Sequence, residues 1–114
     1  MALSRISPRF EQVQSFREGL AAVKIDGKWG FIDRGGLLKI PPQFAGVEAF
    51  SDSLAIAYVG GQAIYIDRNG RTKIGGPFRE ATPFVRGLAA VLLSDKHVAY
   101  IDHTGKTVFD YFRQ

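Results

Sequence analysis

Three aspartates recur at nearly even spacing, Asp33, Asp67 and Asp102, and a glycine follows each of them three residues later, at Gly36, Gly70 and Gly105. A ladder of carboxylates could hold cations or meet a basic partner. Turn formation explains the same pattern more simply. An Asp side chain accepts hydrogen bonds from the backbone just ahead of it, and glycine at the end of a four-residue turn takes positive φ at no steric cost. A hard-cation site needs further oxygen ligands at close spacing, and none recur with these carboxylates. The six residues are therefore read as turn formers, with no metal or cofactor expected.

His97 and His103 fall in or beside turns near the C-terminus, without the spacing of a metal-binding histidine pair and without a recurring serine and acid. Only convergence of His97 with Asp95 and Asp102 in one pocket would favour hydrolysis, so no catalytic residue is assigned and an enzyme is not expected. The chain has no cysteine, which excludes a thiol nucleophile, disulfides, zinc–thiolate sites and iron–sulfur clusters. Gly60-Gly61 and Gly75-Gly76 read as turn pairs, since neither belongs to a G-x-x-x-x-G-K phosphate loop.

The net charge is +4, from 15 Lys and Arg against 11 Asp and Glu, and the basic residues are dispersed. Arg34, Arg68 and His103, each following a turn aspartate, could line one edge together with Arg71 and Lys106. Such a stripe would attract phosphate or an acidic protein surface. No RNA- or DNA-binding signature accompanies it, so nucleic acid is not the expected partner.

Any such side chains must be positioned by a repeating unit. Phe10, Phe44, Phe78 and Phe112 stand 34 residues apart, and Phe16, Phe50 and Phe84 keep the same step. Gly19-Leu20-Ala21-Ala22-Val23 returns as Ser53-Leu54-Ala55-Ile56-Ala57 and as Gly87-Leu88-Ala89-Ala90-Val91. Self-similarity at a fixed period means tandem structural units. With 114 residues and 46% hydrophobic composition there is room for one domain, residues 1–114. Its repeats run over about 10–43, 44–77 and 78–112, after a partial unit at 1–9; Leu3, Ile6 and Pro8, with Phe10 just beyond it, align with Leu37, Ile40, Pro42 and Phe44.

Within a unit the period is two. Ala21, Val23 and Ile25 share one parity, and Trp29 to Asp33 forms a second aromatic and β-branched run beyond the turn Asp26-Gly27-Lys28. A third strand, Leu37 to Ile40, is expected to end at Pro41-Pro42, because proline cannot donate to a ladder. The link Phe10-x-x-Val13-x-x-Phe16 reads as a short bulged strand or turn. Apolar residues on both parities require both sheet faces to be covered. The expected fold is all-β: three tandem antiparallel hairpin or meander repeats of about 34 residues, in an open or propeller-like stack, with an extra N-terminal strand. Phe10, Phe16, Phe44, Phe50, Phe78, Phe84, Phe112 and Trp29 form its expected core, each buried Phe contributing roughly 1.5–3 kcal/mol.

The stretch Phe16 to Asp33, FREGLAAVKIDGKWGFID, followed by Pro42-Gln43-Phe44, closely resembles the WG repeat, also called the KWG repeat, of bacterial proteins. Trp29-Gly30 is the naming dipeptide, replaced by Ala63-Ile64 and Val98-Ala99 in the other two units. The resemblance implies an all-β repeat used for binding or scaffolding, without common catalytic residues.

The expected function is a non-enzymatic protein–protein interaction module. A small inhibitor or immunity-type protein that blocks an enzyme is an alternative, as is a glycan- or nucleic-acid-binding module using Trp29, Tyr65 and Tyr100 as stacking platforms. The expected partner is another protein. Open terminal strands, Leu3 to Phe10 and Thr107 to Phe112, would also permit a homodimer. No apolar run approaches the roughly 20 residues that cross a bilayer, and a cytoplasmic location is expected.

Overall fold

Leu20 to Val23 is an unbroken apolar run, so both faces of this strand can be buried, and Leu20, Ala21, Ala22 and Val23 are. In a computed structural model that describes residues 10–114, that strand is β2 (Leu20–Ile25), flanked by β1 (Gln12–Val13), β3 (Lys28–Asp33) and β4 (Leu38–Phe44). They form an antiparallel sheet in chain order. The pattern returns as β5 (Gly46–Val47), β6 (Ala55–Val59), β7 (Gln62–Ile66) and β8 (Thr72–Phe78). It returns again as β9 (Glu80–Ala81), β10 (Ala89–Leu92), β11 (His97–Ile101) and β12 (Thr107–Phe112). The fold is all-β, one four-stranded antiparallel sheet for each repeat. The links are the two-residue strands β1, β5 and β9, each followed by a tight turn closed by a bridge such as Ser51↔Leu54. The expected partial unit at residues 1–9, with most of the extra N-terminal strand, lies outside the described residues.

Two expectations about the third strand of each unit are corrected. Pro41-Pro42 does not end β4, and Gly75-Gly76 is not a turn pair, for both lie inside strands. Trp29 pairs with Phe44 while Phe31 pairs with Ile40, so the prolines fall in a bulge where no ladder donor is required. The same bulge separates Ala63↔Phe78 from Tyr65↔Ile74. It bends the strand, which then leads into β5 or β9 of the next sheet. Gly30 makes room for it, because a Cβ there would lie 2.3 Å from the Ile40 carbonyl oxygen and 2.7 Å from the Pro42 nitrogen. The glycine of the Trp-Gly pair is thus fixed by the proline segment crossing over it.

The sheets pack face to face. Leu20, Ala22, Trp29, Phe31, Ile40 and Phe44 of the first meet Val47, Phe50, Ala55, Ala57 and Ile66 of the second. Leu54, Ile56, Ala63, Tyr65, Ile74 and Phe78 of the second meet Phe84, Ala89, Val91, Ala99 and Ile101 of the third in the same manner. Each internal boundary is keyed by one ring. Phe50 lies 4.9 Å from Phe31 and Phe84 lies 4.9 Å from Tyr65, both edge to face.

That arrangement corrects the expected core at its ends. Phe16 is 37% exposed and Phe112 is 68% exposed, whereas Phe44, Phe50, Phe78, Phe84 and Trp29 are buried. Phe50 and Phe84 are buried by the sheet before them, and among the described residues no sheet precedes Phe16. Phe112 fails for a different reason. β12 lacks the bulge, so Tyr111 faces Val98 where Phe44 faces Trp29 and Phe78 faces Ala63, and Phe112 falls opposite His97. Phe10 is half-buried against Ala21, Val23 and Ile32.

Candidate functional site

The turn aspartates are consumed locally. Asp33 Oδ1 accepts the backbone N–H groups of Gly35 and Leu37 at 2.9 and 3.0 Å. Asp67 does the same for Asn69 and Arg71, at 2.9 and 3.1 Å. Asp102 accepts from Thr104 and Lys106 and, in addition, from the Thr104 hydroxyl at 2.6 Å. That hydroxyl, helped by the two backbone donors, holds the Asp102 carboxyl below its ordinary pKa. Of the turn glycines, Gly70 is the tightest: with φ +83°, its Cβ position lies 2.8 Å from Ile40 of the preceding sheet.

The residues after those aspartates do more than line an edge. Arg68 reaches back across a boundary to donate to the Glu18 carbonyl at 2.8 Å, its guanidinium 5.9 Å from the Phe50 ring centre. His103 repeats this one sheet later, Nε2–H donating to the Asp52 carbonyl at 3.0 Å while the imidazole stacks on Phe84 at 4.6 Å. The side chains of Glu18 and Asp52 answer by accepting the backbone N–H groups of Ser53 (3.0 Å) and Gly87 (2.8 Å) in the following sheet. Each boundary therefore carries a two-way polar clasp beside its aromatic key. The expected basic stripe is corrected accordingly: Arg68 and His103 serve these contacts, and Arg34 lies over Phe16, 5.4 Å from its ring centre. Arg71 and Lys106 remain exposed.

Glu18 and Asp52 were not singled out from the sequence. Their signal was the same 34-residue step as the phenylalanines, broken in the third unit by Arg86.

The histidine and acids that would have signalled hydrolysis go to separate partners. His97 bonds Asp110 at 2.7 Å and stacks on Phe112 at 4.3 Å. Asp95 pairs with Arg79 at 3.0 Å, and Asp102 stays in its own turn.

Among the described residues, two concave regions border these contacts and the last sheet. One, of about 330 Å³, lies between the turns of the second and third sheets, where Arg68, Lys73 and His103 face Ser53, Asp67 and Asn69. The other, of about 220 Å³, opens on the outer face of the third sheet between Thr82, Leu92, Val98, Tyr100, Tyr111 and Arg113. That outer face is aromatic: Phe109 stacks flat on Tyr100 at 4.7 Å, and Phe109 and Tyr111 stay 50% and 46% exposed. On the second sheet the matching surface is closed by the third. Tyr65 is fully buried there and its hydroxyl donates to the Thr82 carbonyl at 2.6 Å, burial pushing its pKa up. Nearby, burial and the hydrogen bond to Glu48 push Tyr58 up to about 12.

Four-stranded antiparallel sheets packed face to face in chain order define a propeller-like β-repeat protein, in which the three sheets do not close a ring. The WG containing repeat model matches residues 5–29, 29–62 and 65–96, and the chain belongs to that family. Among solved structures it is similar to the WD40 β-propeller domain of Doa1, with a TM-score of 0.50 and 15% identity over 90% of this chain and 39% of that one. A protein of unknown function from Bacteroides caccae aligns with a TM-score of 0.42 and 16% identity, over 90% of this chain and 45% of that one. The chain thus spans less than half the length of either structure. No curated protein matches it.

Proposed function

We propose that this protein is a protein-interaction or scaffolding module rather than an enzyme, and that it works by presenting the outer face of its third sheet. One observation carries the reading. Surfaces of the same construction are buried at both internal boundaries, yet here Leu88, Phe109 and Tyr111 are left 39–50% exposed. Apolar surface gathered in one place on a folded domain marks a site of association. Membership of a repeat family without shared catalytic residues supports the same reading, as does the use of His97, Asp95 and Asp102 in unrelated contacts.

The test is recovery of partners from the source cell on immobilised protein, with a Phe109→Ser/Tyr111→Ser variant alongside. A specific protein recovered by the wild type and lost with the folded variant supports the reading. Recovery of nothing, or equal recovery by both proteins, contradicts it.

A further inference from the structure

The two internal boundaries are templates for whatever covers the third sheet. At each, the incoming chain lays an extended link across the sheet, Val47-x-x-Phe50 or Ala81-x-x-Phe84, with its aromatic ring on Phe31 or Tyr65. Three residues beyond that ring, the incoming backbone donates an N–H, from Ser53 or Gly87, to an acid of the sheet it covers. An incoming side-chain N–H, from Arg68 or His103, donates to the backbone carbonyl of that same acid. Donors arrive, and the acid receives them on its carboxylate and its carbonyl.

On the third sheet the apolar half of this template is kept and the polar half is reversed. Val98, Tyr100 and Tyr111 line the open cleft that corresponds to the space filled by the link on the second sheet. In the place of Glu18 and Asp52 stands Arg86, exposed and without an ion pair among the described residues. A second copy of this chain fits poorly. Its own link, Val13-Gln14-Ser15-Phe16, would bring Arg34 and the Gly19 N–H toward Arg86, two positive groups and a donor with no acceptor. The face of the first sheet that would have to follow, Ala21, Val23 and Ile32, is already buried.

We propose that the outer face of the third sheet binds an extended acidic segment of a different protein: an aliphatic residue, an aromatic residue three positions later, and a carboxylate three positions beyond that, with the ring against Tyr100 and the carboxylate on Arg86. The inference rests on the interaction-module reading and names the chemistry of the partner. Arg86 then selects in both directions, attracting the acidic segment and repelling the chain's own link.

The probes are synthetic peptides copying residues 44–54 of this chain, which contain Val47-x-x-Phe50-x-x-Ser53, with Ser53→Glu in one and Ser53→Lys in another. Binding to the full chain is measured calorimetrically at low salt. The Glu peptide should bind about five- to tenfold more tightly than the Lys peptide, with the preference shrinking as salt is raised. In the Arg86→Glu protein the order should reverse, and Phe50→Ala in the peptide should abolish binding to both proteins. Equal binding of the two peptides, an order unchanged by Arg86→Glu, or no saturable binding overturns the proposal. So does wild-type self-association in sedimentation that Arg86→Glu leaves unaltered, which would assign the face to a second copy. Should the peptides fail while a cellular partner is still lost with Phe109→Ser/Tyr111→Ser, the acidic segment is wrong and the interaction-module reading survives.

Discussion

The ring of Phe84 meets that of Tyr65 edge to face, 4.9 Å between centres and 66° between planes, across the boundary between the second and third sheets. Phe84 is fully buried there, and Phe16, at the same place in the first unit, is 37% exposed. One residue type at one repeat position thus has two energetic roles, set by whether a sheet precedes it among the described residues.

Phe84→Ala should therefore cost about 3–5 kcal/mol, the loss expected when a buried ring leaves a cavity. Phe16→Ala should cost under about 1 kcal/mol, as at an exposed position. Urea unfolding of the two variants gives the comparison, and equal losses would contradict the face-to-face packing.

Gly30→Ala should destabilise by about 3 kcal/mol, the upper end for overpacking, because the added methyl meets backbone that cannot rotate away. The clash would be with the bulge at Pro41-Pro42, so amide exchange in β3 and β4 should accelerate before that in β11 and β12. Unchanged stability would show that the prolines do not cross over Gly30.

Ser53→Gly should stabilise. Ser53 sits at φ +70°, a left-handed conformation that costs a side-chain-bearing residue about 1–2 kcal/mol. The extra freedom glycine gains in the unfolded chain takes back about 0.5–1 kcal/mol. The hydrogen bond to Glu18 comes from the backbone N–H and survives the change. A rise in thermal midpoint is expected, and a fall would mean that the serine side chain contributes more than its conformation costs.

Asp102→Asn should flatten the acid limb of the stability profile. The folded protein holds this carboxyl below its ordinary pKa, chiefly through the Thr104 hydroxyl, so its contribution is complete above the unfolded value of about 4 and is lost as pH falls through the folded one. Thermal melts from about pH 5 down to about pH 2.5 should show the wild type losing more than the variant. Parallel curves would contradict the assignment.

The strands and their hairpins were legible because a two-residue alternation and turns such as Asp26-Gly27 are local properties of the chain. The path of β4 through Pro41-Pro42 was not, because it depends on the opposite strand, where Gly30 leaves the space that the bulged proline segment crosses. Counting in steps of 34 chose Phe112 for the core, whereas β12 pairs in even register from Phe109 to Phe112 and puts Tyr111 in that place. The clasp made by Glu18 and Asp52 stayed hidden for a third reason. In sequence each is a turn residue, and only the sheet that stacks upon it turns its carboxylate into an acceptor.

The stacked units and the exposed outer face of the third sheet are tested most directly by the relaxation of aromatic ring protons in the presence of a soluble paramagnetic agent. Rings of Phe31, Phe50, Tyr65 and Phe84 should be shielded, while those of Phe109, Tyr111 and Phe112 relax strongly. Strong relaxation at Phe50 and Phe84, or shielding of Phe109 and Tyr111 in the isolated monomer, would contradict this arrangement.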